Sequence, residues 1–303
     1  MTTNLINAEF SSDLVPSPVE YAVFLPDAYE ETEEDFPLLF FLHGGGGDRN
    51  FLTLMRPLIE RVMNGGRIPK SVVVTPSVTR SMYMDYRDGS RKWEQFMIGP
   101  FLDHMRENYR VQSNREGTLL FGISMGGMGA LRMGFKYPEL FAGLAALEPG
   151  IEPALAFKDI QLEDRFWRSD EMFEAIFGKP VDEEYWVLNN PANIALENAE
   201  KIISSGLAIY LECGDEDSFG LYRGTEFLHR ILWDNKIHHE YHLVRGADHL
   251  GPTLGPRSEE ALEFLGRILN PPQPSPVVQN LHKMTNEWKN QWKQKEGDSH
   301  DNG

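Results

Sequence analysis

Short apolar runs recur along this chain at a length and spacing that few folds accommodate. They read "VEYAVFLP" (19–26), "PLLFFLHG" (37–44), "SVVVTPS" (71–77), "GTLLFGIS" (117–124), "GLAALEPG" (143–150), "LAIYLECG" (207–214) and "HHEYHLV" (238–244). Near-continuous apolar strands are those covered on both faces, as in a mostly parallel sheet. Helical patterns fill the intervals: "FLTLMRPLIERVMN", "WEQFMIGPFLDHMREN", "MGGMGALRMGFKYP", "GTEFLHRILWDN" and "SEEALEFLGRIL". The alternation predicts an α/β fold with helices on both faces of a central sheet. A chain of 303 residues can bury one large core of this kind, and its length requires no second domain.

Two stretches depart from the alternation. Residues 151–204 are acidic and aromatic, with Phe166, Trp167, Phe173, Phe177, Tyr185 and Trp186, and read as a cap-like insertion over one end of the sheet. After "FLGRILN" the chain enters "PPQPSP" (271–276), a stiff extended spacer, so the core domain is expected to occupy 1–270 and a linker with a helical tail 271–303. In the tail Leu281, Met284, Trp288 and Trp292 recur at helical spacing, with lysines interleaved. Such a stripe docks on its own domain or builds a homo-oligomer; the alternative is a membrane surface or another partner.

Charge and cysteine content narrow the partners. A formal net charge of −17 argues against a nucleic-acid partner, because phosphate binding needs a basic field. No apolar stretch approaches the ~20 residues of a membrane span, so no stable membrane insertion is expected. The start "MTTNLINAEF" has neither a basic region nor an apolar core of a secretory signal, which makes a cytoplasmic location the expectation. The lone Cys213 excludes an internal disulfide and thiolate metal clusters.

Chemistry concentrates at "FGISMGGMGAL" (121–131), where an apolar run ends and a helical pattern begins. A G-x-S-x-G pattern alone is weak, but between a strand and a helix it describes a nucleophile on a sharp turn, with small flanking residues because neighbouring backbone leaves no room for side chains. Gly122 and Gly126 supply those flanks, and Ser124 would sit at a helix N-terminus that favours a developing anion. A serine needs a base. Of nine histidines, His249 in "VRGADHLGPT" follows a strand and lies in a Gly- and Pro-containing loop, where catalytic residues of open α/β sheets collect. The base needs a carboxylate. "LECGDEDSFG" offers Asp215, Glu216 and Asp217, of which Asp217 is preferred; Asp248 is too close in sequence to His249 to face it readily. An oxyanion needs two converging N–H donors. Met125, after the serine, supplies one, and Gly45 or Gly46 in "LHGGGGD" the other, with His43 positioning that loop.

With these segments in place the chain resembles the esterase D-like branch of the α/β-hydrolases, which includes tributyrin and feruloyl esterases and S-formylglutathione hydrolases. The resemblance covers roughly residues 15–270 and rests on "VFLPDAY", "LHGGGGD", "SMYMDYRDGSRKWEQF", "GISMGGMGALRM", "GDED" and "DHLGPT". The order Ser124, Asp217, His249 is the α/β-hydrolase order. The resemblance implies an acid at the end of a G-x-x-D turn, here Gly214 to Asp217, and a buttress of the site around Tyr83, Asp85, Trp93 and Glu94. It implies a serine carboxylesterase acting on a small-molecule ester through an acyl-enzyme, without metal or organic cofactor. The aromatics Phe166, Trp167 and Trp186 are expected to wall a pocket for short-chain or aromatic-acid esters, or else to pack the insertion onto the body. An acyltransferase or thioesterase using the same residues is the alternative, and a binding protein that kept the fold is a more distant one.

Overall fold

Leu38–Leu42 and Thr118–Ile123 are buried along their whole lengths, and this property sets the layers of the molecule. In Leu38–Leu42, Leu38, Phe40 and Leu42 enter one core while Leu39 and Phe41 enter the other. The period-two alternation of a strand thus sends apolar side chains to both faces. Each such side chain taken from water contributes roughly 1.5–3 kcal/mol.

The structure, a computed structural model, describes residues 4–300, with side chains to Lys293. The strands are β1 (Leu5–Phe10), β2 (Val19–Phe24), β3 (Leu38–Leu42), β4 (Val72–Pro76), β5 (Thr118–Ile123), β6 (Gly143–Leu147), β7 (Ala208–Gly214) and β8 (Glu240–Val244). They form one sheet in the order β1-β2-β4-β3-β5-β6-β7-β8. β1 and β2 pair antiparallel, as do β2 and β4, and every other pairing is parallel. This is the mostly parallel, doubly covered α/β sheet that the alternation predicts.

The helices are α1 (Asn50–Asn64), α2 (Trp93–Ile98), α3 (Pro100–Asn108), α4 (Met125–Lys136), α5 (Asp170–Phe177), α6 (Glu183–Val187), α7 (Pro191–Glu197), α8 (Ala199–Ser205), α9 (Tyr222–Asp234), α10 (Leu254–Leu269) and α11 (Pro276–His300). α1 and α10 cover one face through Leu52, Ile59, Leu262 and Leu265, and α3, α4 and α9 cover the other through Phe101, Leu131 and Leu228. The pattern read as one helix over 93–108 is two, because Gly99 leaves helical geometry at φ −111°, ψ −108° and Pro100 starts α3.

The insertion between β6 and β7 is shorter than 151–204. Ala192, Ile194 and Ala195 of α7 are buried in the main core and α7 packs on α4 and α9, so the covering layer resumes at Pro191. The chain divides into two units at Asn270 and Pro271. The second is α11 with its proline-rich lead, and its Leu281, Met284, Trp288 and Trp292 side chains are exposed. Among the described residues no helix is long and apolar enough to cross a membrane.

Candidate active site

The turn from β5 into α4 places Ser124 at φ 58°, ψ −117°, a conformation costly for any residue with a Cβ, about 1–3 kcal/mol. Its surroundings hold it there. Ser124 N–H donates to Leu147 O at 2.9 Å, and its carbonyl accepts from Met128 N at 3.0 Å and Gly150 N at 3.3 Å. The flanking glycines are a packing requirement: a Cβ on Gly122 would stand 2.1 Å from Gly126 O, and one on Gly126 would stand 2.1 Å from Leu42 O. Ser124 is half-buried at the head of α4, with Met125 as the first helical residue, so free N–H groups and the helix dipole converge beside its hydroxyl.

A buried polar cluster pins α4 from the other side. Arg132, fully buried, donates to Asn189 O at 2.9 Å, Tyr83 O at 3.0 Å and Glu94 Oε2 at 2.5 Å. Lys136 Nζ and Tyr137 OH each donate to Glu94 Oε1 at 3.0 Å. Asp85 Oδ1 accepts from the Glu94 and Gln95 amides at the start of α2. Glu94 and the Tyr83 carbonyl thus hold α4 through Arg132, Asp85 holds the start of α2 that carries Glu94, and Tyr83 OH donates to His43 O at 3.2 Å beneath the glycine loop.

His249 lies in the loop between β8 and α10, and Asp217 in the turn after β7. The structure brings them together: His249 Nδ1 to Asp217 Oδ2 is 2.6 Å. Asp217 Oδ1 accepts from the Phe219 amide at 2.8 Å and the Leu221 amide at 3.3 Å, which fixes the carboxylate. With Nδ1–H committed to Asp217, Nε2 is the ring nitrogen left free to accept a proton. Burial pulls the imidazole pKa down, but the Asp217 hydrogen bond and the Glu148 and Asp217 charges outweigh it, and the net direction is upward. Ser124 Oγ itself makes no hydrogen bond among the described residues, a contact that in free sites often forms only when substrate seats. Asp215 and Asp248 have other work: Asp215 Oδ1 accepts from Gly246 N, and Asp248 Oδ1 from Ser218 N.

The glycine loop after β3 lies alongside the serine. A Cβ on Gly44 would meet Ser124 Cβ at 3.5 Å, an ordinary van der Waals contact, so Gly44 is the glycine of this loop that borders the serine. Gly47 N closes the turn on Gly44 O at 3.0 Å, and Gly45 O accepts from Arg80 Nε at 2.9 Å. Gly45 and Gly46 N–H have no backbone partner among the described residues, and nothing crowds their Cα atoms. His43 is buried, with Nδ1–H on Gly44 O at 2.7 Å and Nε2 accepting from Val78 N–H at 3.2 Å. That pattern requires the neutral ring, in accord with burial lowering its pKa.

The three aromatics expected at the pocket part company. Phe166 is exposed and stacks on Phe219, whose ring meets His249 edge to face at 4.6 Å. Trp167 lies over Gly150, and the Arg168 guanidinium covers its ring at 4.3 Å. Trp186 is 1% exposed and packs on Phe157 against the core, the packing role that was the alternative for these aromatics, so it holds the insertion down. A groove of about 410 Å³, lined by Ile203, Leu207, Ile237, His238 and Phe264, lies at the amino ends of β7 and β8, at the opposite end of these strands from Asp217.

Residues 12–250 match the family model described as "Putative esterase". An esterase of Mycobacterium tuberculosis is 32% identical over 139 residues, covering 41% of this chain and 27% of the relative. An acetyl esterase of Caldicellulosiruptor saccharolyticus is 30% identical over 118 residues, 39% of this chain and 43% of its own length. The alignments thus span less than half of these curated relatives. Among solved structures, a ferulic acid esterase superposes with a TM-score of 0.72 at 22% identity, over 88% of this chain and 98% of its own, a likeness of fold.

Proposed function

Because this chain belongs to the "Putative esterase" family, matched over residues 12–250, we propose that it hydrolyses carboxylic esters through an acyl-enzyme formed on Ser124. One observation carries the reading: a serine at φ 58°, ψ −117° heads α4, while a His249–Asp217 pair at 2.6 Å closes the loops beyond the same end of the sheet. Strain of that kind persists where the surroundings enforce it, and here it presents a hydroxyl.

Ser124 Oγ attacks the ester carbonyl while its proton passes to His249 Nε2, and Asp217 stabilises the imidazolium. The carbonyl oxygen becomes an oxyanion, held by the amides of Met125 and of Gly45 or Gly46. The tetrahedral intermediate collapses, the alcohol leaves with the proton from His249, and water repeats the sequence on the acyl-serine. Phe219 and Phe166 offer an aromatic face beside His249, which supports short-chain or aromatic-acid esters as the substrate class.

The test is turnover of p-nitrophenyl esters from acetate to palmitate, with methyl ferulate, by wild type and Ser124→Ala. Serine-dependent turnover of acetate and ferulate above palmitate is expected. Undiminished hydrolysis by Ser124→Ala would sink the mechanism, and faster palmitate than acetate hydrolysis would sink the substrate class.

A further inference from the structure

Asp217 is not alone behind His249. Glu148 directly follows β6, with its backbone at φ 42° and its N–H bonded to Glu212 O at 2.7 Å. Its Oε2 lies 3.9 Å from His249 Nδ1, the nitrogen that Asp217 meets. Arg257, in the first turn of α10, donates Nη1 to Glu148 Oε2 at 3.0 Å and to Glu212 Oε1 at 2.9 Å, and Nη2 to the Asp248 carbonyl at 2.8 Å. Glu148 and Glu212 are fully buried and Arg257 is nearly so. Glu148 Oε1 and Glu212 Oε2 have no hydrogen-bond partner among the described residues.

One guanidinium is thus shared by two buried carboxylates. Incompletely paired buried charge is destabilising, and a purely structural cluster would balance it. The incompletely partnered Glu148 carboxyl lies 3.9 Å from the one ring that must become cationic during acyl transfer.

We propose that Glu148 is a second positioning carboxylate for His249, stabilising the imidazolium beside Asp217 and carrying part of that role when Asp217 is neutralised. The proposal rests on the reading of Ser124, His249 and Asp217 as a triad. The proton still moves from Ser124 Oγ to His249 Nε2, and the Nδ1 proton stays on the ring. The charged groups facing His249 are Asp217 after β7, Glu148 after β6, Arg257 from α10 and the adjacent Asp248; Glu148 faces His249, Arg257 and Glu212. Burial pushes the Glu148 carboxyl up to about 7, against the opposing pull of His249 and Arg257, so its charge appears over the same pH range in which an imidazole gives up its proton.

The experiment is the pH dependence of kcat/KM on p-nitrophenyl acetate for wild type, Ser124→Ala, Glu148→Gln, Asp217→Asn and the Asp217→Asn/Glu148→Gln double variant. Removing a charge that raises the imidazole pKa shifts the acid limb of Glu148→Gln to lower pH, by about half a unit or more. In the Asp217→Asn background the same substitution costs about tenfold, more than in wild type, because the two carboxylates serve one ring. Either an unmoved limb or equal losses in both backgrounds overturns the proposal. The limb's position does not depend on the fraction of active protein, so it remains readable if the Gln variant folds poorly. Glu148→Asp, which withdraws the charge by one methylene, shifts the limb the same way by less. Failure of wild type to show Ser124-dependent turnover overturns the triad and the proposal with it, whereas an intact triad with an unmoved limb overturns the proposal alone.

Discussion

Gly126→Ala tests whether the turn at Ser124 is built by close packing of backbone, because it adds one methyl group at one of the turn's two tightest points. The new Cβ would stand 2.1 Å from Leu42 O, 2.6 Å from Leu42 C and 2.9 Å from His43 O. All three neighbours are backbone of β3 and the loop after it, so no side chain can rotate away. The head of α4 must retreat from β3 by about 1 Å, and overpacking of this kind costs ~1–3 kcal/mol. For a domain of this size that corresponds to a Tm lower by roughly 2–12 °C. The same shift moves the Met125 amide and Ser124 away from the Gly44 loop, and a misplacement of ~1 Å at a reacting centre costs ~10²-fold in kcat. Thermal unfolding and p-nitrophenyl acetate turnover are measured together, with Gly46→Ala as the reference. A Cβ on Gly46 meets nothing within 4 Å, so its Tm should stay within about 2 °C of wild type. A Gly126→Ala protein with wild-type Tm and wild-type kcat would refute the packing argument.

Arg132→Met leaves Glu94 buried with only Lys136 and Tyr137 as side-chain partners and frees the Tyr83 and Asn189 carbonyls. Denaturant unfolding should show a loss of about 3–5 kcal/mol, and a loss under 1 kcal/mol would remove the buttress from the account. Phe219→Ala deletes the ring between His249 and Phe166, so KM for methyl ferulate should rise several-fold while KM for p-nitrophenyl acetate changes less. Equal changes for both esters would mean that the ring only holds the histidine.

The elements the sequence reveals are those whose pattern is strong and local. β3 and β5 are apolar on both faces, and no other arrangement buries such runs. β1 has no continuous apolar run: "LINAEF" is half-exposed on an edge, where Asn7 and Glu9 face water and alternate with Ile6, Ala8 and Phe10, a pattern too short to stand out. The site divides along the same line. Ser124, Asp217 and His249 each stand at a strand end marked by glycine, a local signal, and the structure brings Asp217 and His249 within hydrogen-bond distance. Glu148 and Arg257 show nothing locally, because a charged residue in a sequence reads as solvated. Only the sheet, which sets β6 beside β7, and the early start of α10 at Leu254 bring residues 109 apart in sequence into one buried cluster. Trp186 is ambiguous in the sequence for a related reason: aromatic residues in an insertion fit a pocket wall and a packing core equally well, and burial decides between them.

The most direct test of the central claim is to quench the protein with acid during turnover of p-nitrophenyl acetate and map the modified peptide by mass spectrometry. The account predicts one acetyl group on the peptide carrying Ser124, absent from Ser124→Ala and strongly reduced in His249→Ala, where the serine has lost the base that activates it. An acetyl group on another residue, with turnover intact in Ser124→Ala, would contradict it.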